Sequence, residues 1–225
     1  MNDSLRQALY LIADEMRGMA TLANHYGRSP YVVEHGHNLM RLAARLAALL
    51  DTAHDEDETL SAFTNPDLWH ASPAMGADAL VFNARDEVLL IRRRDDGTWA
   101  LPGGANEIGA TPAETALKEL WEEAGLRGRV IRLLGVFDSR RWGSLSPIHF
   151  MGFVFEVACH SDQPRPGLET IDVRYFPVDA LPLDNMHPFH MTRVPKVLAL
   201  RQTGACYFDA ADASDMDLTD FQRPE

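Results

Sequence analysis

The sequence has little cysteine and no long apolar run. Two cysteines, Cys159 and Cys206, occur in 225 residues, which excludes a disulfide framework and favours a reducing compartment. No stretch of about 20 consecutive apolar residues occurs, so no membrane-spanning helix is expected. Asp3, Asp14 and Glu15 interrupt the first apolar residues, so we expect no signal segment and a cytoplasmic location.

Basic residues are also in the minority. The chain carries 21 Lys and Arg against 33 Asp and Glu, a formal net charge of −12. This balance argues against binding to nucleic acid, which needs a basic surface, and we expect neither a nucleic-acid nor a membrane partner. A hydrophobic content of 46% is sufficient for a packed core.

The first quarter of the chain is predicted to be a helical hairpin domain over residues 1–55. Apolar residues recur every three or four positions from Ser4 to Asn24, and a second such stripe ends at Leu50. Two short helices cannot bury both of their faces alone. They should pack either on the next domain or on a second copy of themselves, and we expect a homodimer. The acidic residues 54–59 are interpreted as a linker or loop, and the predicted linker spans residues 56–73.

Residues 74–202 are predicted to form a second domain. Strands alternate there with two helices, which indicates an α/β fold with a mixed sheet between helices. The predicted strands are 77–82, 88–94, 99–101, 130–137, 149–158 and 172–176, and the predicted helices start at Pro112 and Pro188. From residue 203 to 225 the chain is acidic and aperiodic, and we interpret it as a mobile or loosely docked tail.

The helix that follows Thr111 carries the clearest local signals. Thr111 can be its N-cap, Pro112 its first residue, and Glu114 the partner of the cap in a capping box. Gly125 fits the left-handed position just beyond the helix end.

Three carboxylates share one side of this helix. Glu119, Glu122 and Glu123 stand at positions i, i+3 and i+4, where like charges repel each other. One interpretation is a solvated acidic face. The other is a site for Mg²⁺, which prefers oxygen ligands, and the adjacent Gly103 and Gly104 could add backbone carbonyls because no side chain blocks their approach.

The stretch resembles the Nudix box. In that pattern a Gly is followed after five residues by Glu, and after seven more by Arg-Glu-apolar-any-Glu-Glu-any-Gly-apolar. Here Gly104 and residues 118–126, KELWEEAGL, match it. The resemblance implies a Nudix α/β/α sandwich over residues 74–202 and hydrolysis of a pyrophosphate bond. It also implies that Glu119, Glu122 and Glu123 bind Mg²⁺, with Mn²⁺ as an alternative.

Two positions depart from the box. Ala110 stands where the pattern has Glu, and Lys118 where it has Arg. In the family these two side chains pair and brace the metal-binding loop, so their joint change implies a weaker support. A rival interpretation is therefore a weakened domain that binds a nucleotide or regulates without cleaving.

The helical N-terminus is followed by the Nudix-like domain, which carries GLET at 167–170, YF at 175–176 and LP at 181–182 near its end. This combination resembles a Nudix subgroup that acts on nucleoside diphosphates linked to a further group X. Its usual substrates are ADP-ribose and CDP-choline, and the products are a nucleoside monophosphate and phospho-X. The expected partner is thus a nucleotide-type small molecule. Two candidates for the general base remain open: Glu122 on the helix, and Glu169 in the loop where several family members place a catalytic Glu.

Substrate binding calls for cations and a flat surface. Strand alternation puts Arg92 and Arg94 on one face of their strand and Arg93 on the other. Arg92 and Arg94 are candidates for clamping phosphate. The loop after the strand 130–137 offers two guanidiniums and an indole as a lid over base or ribose: Arg140, Arg141 and Trp142.

Overall fold

A computed structural model describes residues 3–50, 55–64, 73–142 and 149–210. Most of the predicted tail, 211–225, and parts of the predicted linker and substrate loop lie outside these ranges. The chain divides into two compact units, Met1–Ala74 with Ala105–Thr115, and Met75–Gly104 with Ala116–Glu225. The predicted division into four segments, 1–55, 56–73, 74–202 and 203–225, remains a prediction.

The first unit is built on three helices. Helix α1 runs over Asp3–Tyr26, α2 over Pro30–Leu50 and α3 over Glu56–Thr64. Small side chains line the packing of α1 on α2: Ala13, Ala20, Ala43 and Ala47 are buried. Close packing of this kind needs small residues, because each side chain adds to the distance between the helix axes.

Helix α3 corrects the interpretation of residues 54–59 as a loop. The Glu58 N–H donates to Asp55 Oδ1 at 2.9 Å, and the Asp55 N–H donates to Glu58 Oε2 at 3.1 Å. This is a reciprocal capping box with Asp as the cap. The acidic residues therefore start a helix, and the predicted linker over 56–73 begins with nine helical residues.

The first unit also holds the loop that leads into the box helix. The Ile108 side chain lies against Gly18 of α1, where an added Cβ would come within 2.9 Å of Ile108 Cδ1. Gly109 has a φ of 93°, and the Glu15 carboxylate of α1 occupies the space that a Cβ there would need. Helix α1 thus packs directly on this loop.

Two sheets form the second unit. One contains five strands in the order β4-β1-β6-β5-β8, and the other three strands in the order β3-β2-β7. The first sheet is mixed, because β5 pairs antiparallel with β6 and parallel with β8. The predicted α/β class with a mixed sheet is confirmed. The strands are β1 Ala74–Val81, β2 Val88–Arg93, β3 Trp99–Ala100, β4 Gly103–Ala105, β5 Gly128–Asp138, β6 Phe150–Cys159, β7 Thr170–Phe176 and β8 Tyr207–Phe208.

Two further helices complete the fold. Helix α4 runs over Pro112–Ala124 and begins in the first unit, and α5 runs over Pro188–Thr203. Side chains from the strands and from α5 form the core of the second unit, with Leu80, Leu90, Phe137, Phe189 and Val194 among its buried members.

Of the two interpretations of the chain after residue 203, a mobile or a loosely docked tail, strand β8 favours docking as far as residue 209. Tyr207 and Phe208 pair with β5, and Asp209 Oδ2 accepts a hydrogen bond from the Asp138 N–H at 2.8 Å. Tyr207 also stacks on Phe137 with a centroid distance of 4.9 Å. A two-residue strand has too little periodicity for a sequence pattern to reveal it.

Among the described residues, no helix is both long and apolar enough to cross a bilayer.

Candidate active site

Helix α4 has the caps that its sequence predicts. The Thr111 N–H donates to Glu114 Oε2 at 2.8 Å, and the Glu114 N–H donates to Thr111 Oγ1 at 3.3 Å. Pro112 is the first helical residue, and Gly125 has a φ of 65°. The capping box and the glycine stop are confirmed, and they fix the start and end of the helix that carries the three carboxylates.

Gly103 and Gly104 each face one of these carboxylates. The Gly103 N–H donates to Glu123 Oε2 at 2.8 Å. A Cβ at Gly104 would lie 2.6 Å from Glu119 Oε1, closer than any side chain could stay. Glycine is therefore required at Gly104 for the backbone to approach Glu119.

Glu123 is buried, and its environment disfavours a negative charge. Burial raises its pKa to about 8, although the hydrogen bond from Gly103 acts in the opposite direction. The charges of Glu119 and Asp78 also contribute to this raised pKa, and the charge of Arg93 opposes it. A second carboxylate beside a buried one is an arrangement that a cation relieves.

Glu122 is in a more exposed environment than Glu123. Its side chain is half exposed and its carboxylate is 3.8 Å from Lys118 Nζ. Within the described ranges, no three His, Cys, Asp or Glu side chains are gathered closely enough to enclose a metal ion. The pair that converges on the glycine turn is Glu119 and Glu123.

The donor set at this turn fits a hard divalent cation. Two carboxylates and backbone carbonyls are oxygen ligands, which Mg²⁺ and Mn²⁺ prefer. The space beside Gly104 that a Cβ would fill is lined by Glu119. Mg²⁺ also keeps room for substrate phosphates, so two protein carboxylates suffice.

The loop that carries Glu169 is tied to the end of α4. Thr170 Oγ1 donates to the Glu123 carbonyl at 2.9 Å, and the Gly167 N–H donates to the same oxygen at 3.1 Å. A Cβ at Gly167 would overlap the Glu122 carbonyl. The backbone of this loop therefore lies against the box helix, and Glu169 is exposed upon it.

Arg94 holds this loop from the other side. Its Nε donates to the Leu168 carbonyl at 2.8 Å and its Nη2 to the Thr170 carbonyl at 2.9 Å. Arg92, the other predicted phosphate ligand, donates from Nε to the Gly97 carbonyl at 3.0 Å. Both guanidiniums thus contact backbone carbonyls in this structure.

Arg93, the third arginine at this strand end, is a further candidate phosphate ligand, on the opposite face of β2 from the two preferred in the sequence analysis. It pairs with Asp95 and, at 3.5 Å, with Asp96. Its charge also lowers the pKa of Glu123 and of the half-buried His187. Alternation along β2 separates Arg93 from its neighbours, but alternation alone does not show which face of the strand meets the carboxylates.

The loop after β5 holds its three predicted residues in different ways. Arg140 and Arg141 are exposed. Trp142 packs edge-on against Phe137 at 5.1 Å, and its Nε1 donates to Asp209 Oδ1 at 3.1 Å. The indole is therefore built into the core edge, and the two guanidiniums face solvent.

The family model described as NUDIX domain matches residues 72–197, which is more than half of the chain. The chain belongs to the Nudix family. Its glycine turn and carboxylate helix are the parts of that family's box identified above, and the enzyme is a Nudix hydrolase.

Relatives and solved structures agree with this Nudix assignment. The Bacillus subtilis (strain 168) protein YjhB, whose name assigns it provisionally as an ADP-ribose pyrophosphatase, is 30% identical over 171 residues, 76% of this chain and 81% of that protein. The ADP-ribose pyrophosphatase of Methanocaldococcus jannaschii is 31% identical over 49% of this chain and 65% of its own length. The crystal structure of a UDP-X diphosphatase has a TM-score of 0.56 and 25% identity, covering 89% of this chain and 97% of that one.

Further polar residues near the Nudix turn escaped the sequence analysis. Asp78, His190 and Arg193 are all buried. They come from β1 and α5, more than 110 positions apart in sequence, and each has an unremarkable sequence context. A charged residue inside the apolar stripe of α5 is the one signal that could have found Arg193.

Proposed function

We propose that this Nudix hydrolase cleaves the pyrophosphate bond of a nucleoside diphosphate linked to a further group. The proposal depends most on the turn at Gly103 and Gly104, where Glu119 and Glu123 converge. The products would be a nucleoside monophosphate and phospho-X. ADP-ribose and CDP-choline are the proposed substrates, and the names of the relatives support the first together with the wider UDP-X class.

Glu119 and Glu123 are proposed to hold Mg²⁺ or Mn²⁺, with backbone carbonyls of Gly103 and Gly104 as further ligands and Glu122 beside them. A bound divalent ion would neutralise diphosphate charge and acidify water. The helix caps and the glycine turn fix the two carboxylates in advance, so little reorganisation is needed when the substrate arrives.

The general base is proposed to be Glu169 or Glu122. Glu169 lies on a loop anchored to α4 by Thr170 and Gly167, which places an exposed carboxylate near the end of the helix. Glu122 is on the helix itself but pairs with Lys118. A base must reach the attacking water within hydrogen-bond distance, and Glu122 would have to leave Lys118 to do so.

Substrate cations are proposed to come from two places. Arg93 lies within electrostatic reach of Glu123 and could exchange its Asp95 partner for a phosphate, a bidentate interaction that suits a guanidinium. Arg140 and Arg141 could contact the rest of the nucleotide. Arg92, Arg94 and Trp142 are proposed to support these residues, because their polar atoms already contact the protein.

The experiment that tests this function is product release from a panel of nucleotides with Mg²⁺ and then Mn²⁺. The panel contains ADP-ribose, CDP-choline, UDP-glucose and a deoxynucleoside triphosphate. We expect a nucleoside monophosphate from one of the first three. Glu123→Gln should lower kcat by about 100-fold or more, the usual effect of losing a preorganised electrostatic group. Full turnover by a folded Glu123→Gln variant would exclude Glu123 as a metal ligand.

A second candidate function is nucleotide binding without cleavage. The observation that favours it is the ion pair of Lys118 with Glu122 at 3.8 Å. At position 118 the Nudix pattern has an Arg that pairs with a Glu, and Ala110 stands in place of that Glu. Silence across the panel, with retained nucleotide affinity in calorimetry, would establish this alternative.

The enzyme is also proposed to be a homodimer. Apolar side chains are exposed at seven-residue spacing on both long helices: Ile12 (45%), Met19 (55%) and Tyr26 (71%) on α1, and Leu42 (52%) and Leu49 (76%) on α2. A seven-residue spacing is the repeat that packs one helix along another. A second copy would present the same apolar side chains, and pairing across a two-fold axis would cover them on both copies.

A cytoplasmic site of action is part of the proposal. It is supported by the two free thiols of Cys159 and Cys206, which a reducing compartment preserves.

A further inference from the structure

A buried ion pair lies beneath the glycine turn. Arg193 Nη2 of α5 is 2.8 Å from Asp78 Oδ2 of β1, and both residues are buried. The guanidinium carbon sits 3.9 Å from the centre of the Phe189 ring. Among the described residues, none accepts a hydrogen bond from Arg193 Nε or Nη1.

This pair is an expensive way to fill a core. Burial lowers the pKa of Arg193 and raises the pKa of Asp78, and each partner's charge opposes that shift. Replacing a buried ion pair by apolar residues is often neutral or stabilising. A contribution to stability therefore does not explain why this ion pair is buried here.

Asp78 lies directly against the turn. A Cβ at Gly103 would overlap Asp78 Oδ1 and lie 2.8 Å from its Cγ. On its other side, the Gly103 N–H donates to Glu123. Gly103 is thus held between the buried carboxylate of Asp78 and the carboxylate of Glu123.

The residues before Gly103 are held by the same elements. The Leu101 N–H donates to His190 Nδ1 at 3.2 Å, and His190 Nε2 lies 3.8 Å from Asp78 Oδ1. The Pro102 carbonyl accepts a hydrogen bond from the Ala79 N–H at 2.8 Å. Leu101, Pro102 and Gly103 therefore each contact β1 or α5. The next residue, Gly104, lies against Glu119.

We propose that Asp78, Arg193 and His190 form a positioning network that holds the turn from Leu101 to Gly104 against Glu119 and Glu123. The inference rests on the proposed function, because the turn matters through the divalent ion. It also accounts for how the site can work with Ala110 and Lys118 in place of the usual brace, since support comes from below the turn instead.

The test replaces both charges together, because removing one alone would leave an uncompensated charge. The variant is Asp78→Asn with Arg193→Met. A matched control is Glu156→Gln with Arg132→Met, which removes a 2.8 Å ion pair between β5 and β6 in the same unit, together with the 3.1 Å pair of Glu156 with Arg201. Urea unfolding shows whether the two double variants are folded and how much stability each loses.

Two readouts separate positioning from stability. The first is hydrogen exchange of the Gly103 amide by NMR without metal, and the second is the Kd for Mn²⁺ by electron paramagnetic resonance. In the first double variant we expect Gly103 to exchange at least tenfold faster and the Mn²⁺ Kd to rise about 10–100-fold, the range for lost supports of metal ligands. The control should keep both values.

Wild-type values of both quantities in the folded double variant would overturn the inference. If that variant does not fold, Arg193→Lys decides the matter, because Lys keeps the cation but not the guanidinium geometry. Gly103 exchange unchanged in folded Arg193→Lys would again overturn it. Failure of the proposed function looks different: wild-type protein would bind no Mn²⁺, and Gly103 exchange would still report on the network.

Discussion

Two neighbouring glycines decide how closely the backbone approaches the carboxylates. Gly104 leaves room for Glu119, and Gly103 fits between Asp78 and Glu123. The chemistry proposed for the site therefore depends on the absence of two side chains as much as on the presence of two carboxylates.

Gly104→Ala should abolish most activity while the protein stays folded. The added methyl group would displace the Glu119 carboxylate, now 2.6 Å from the ideal Cβ position. We expect the Mn²⁺ Kd to rise about tenfold or more, as for other disturbed metal ligands. The control is Gly97→Ala, at a φ of 72° and with Arg92 Nη2 4.0 Å away as the nearest side-chain atom. It should cost about 1–2 kcal/mol of stability through strain and leave the Mn²⁺ Kd unchanged; equal effects of the two variants would refute the steric argument.

His190 predicts a pH dependence of stability. Burial, assisted by the charge of Arg193, lowers its pKa well below the ordinary histidine value of 6.5. Below pH 6.5, His190 therefore binds a proton in the unfolded chain but stays neutral in the native protein. As the pH is lowered below 6.5, the free energy of unfolding should decrease by up to about 1.4 kcal/mol per pH unit. Above pH 6.5 this group should have no effect on it. Urea titrations at pH 5.5 and 7.5 measure the slope. A folded His190→Gln variant with the wild-type slope would show that another group is responsible.

At the scale of elements, the loop between β6 and β7 is hydrogen-bonded to the C-terminal end of α4. Its backbone binds the Glu123 carbonyl through Thr170 and Gly167, and Arg94 at the end of β2 binds two of its carbonyls. A loop fixed at both sides can carry a catalytic carboxylate with little loss of entropy on binding.

Arg94→Gln should therefore lower kcat by about tenfold with little change in KM, because it frees the Glu169 loop without touching the metal ligands; general-base contributions are large enough for such a loss. Steady-state kinetics with the best substrate of the panel measures both constants. The matched control is Arg85→Gln, which removes the exposed ion pair with Glu87, a pair of small energetic value. A raised KM at constant kcat would instead identify Arg94 as a phosphate ligand.

At the scale of the whole molecule, the proposed homodimer depends on the apolar stripe of α1 and α2. Leu42→Glu should convert the enzyme from a species of twice 25.1 kDa to one of 25.1 kDa, because charges are disfavoured in an apolar seam. Light scattering after size exclusion measures the mass. The control is Arg41→Glu, about 100° around the helix, which should leave the dimer intact. A wild-type mass of 25.1 kDa would refute the proposal.

Much of the architecture could be predicted from local patterns. Helix α4 was predictable because its start and end signals are local in sequence. Each acts within about one helical turn: Thr111, Pro112 and Glu114 at the start, and Gly125 at the end. Helix α3 was missed although Asp55 and Glu58 form a capping box of the same kind, because the acidic composition was interpreted as solvated loop. Strand β8 has two residues, too few for any period.

The site was predictable only in part, for a physical reason. Glu119, Glu122 and Glu123 follow from spacing on one helix, and the family resemblance supplies their roles. Pairs that meet across the fold, such as Asp78 with Arg193, leave no trace in local spacing. Arg93 is similar, because alternation divides a strand into two faces without showing which face meets α4.

The packing of α1 on the loop at Ile108 and Gly109 has a consequence for shortening the chain. A chain cut to start at residue 74 would keep the whole box, yet residues 105–111 would lose the helix that restrains them. Each freed residue regains backbone entropy of about 1–2 kcal/mol at room temperature, and binding of a metal and nucleotide would have to overcome that entropy. The helical region is thus not a detachable module: removing it would raise the entropic cost of forming the ligand-bound state.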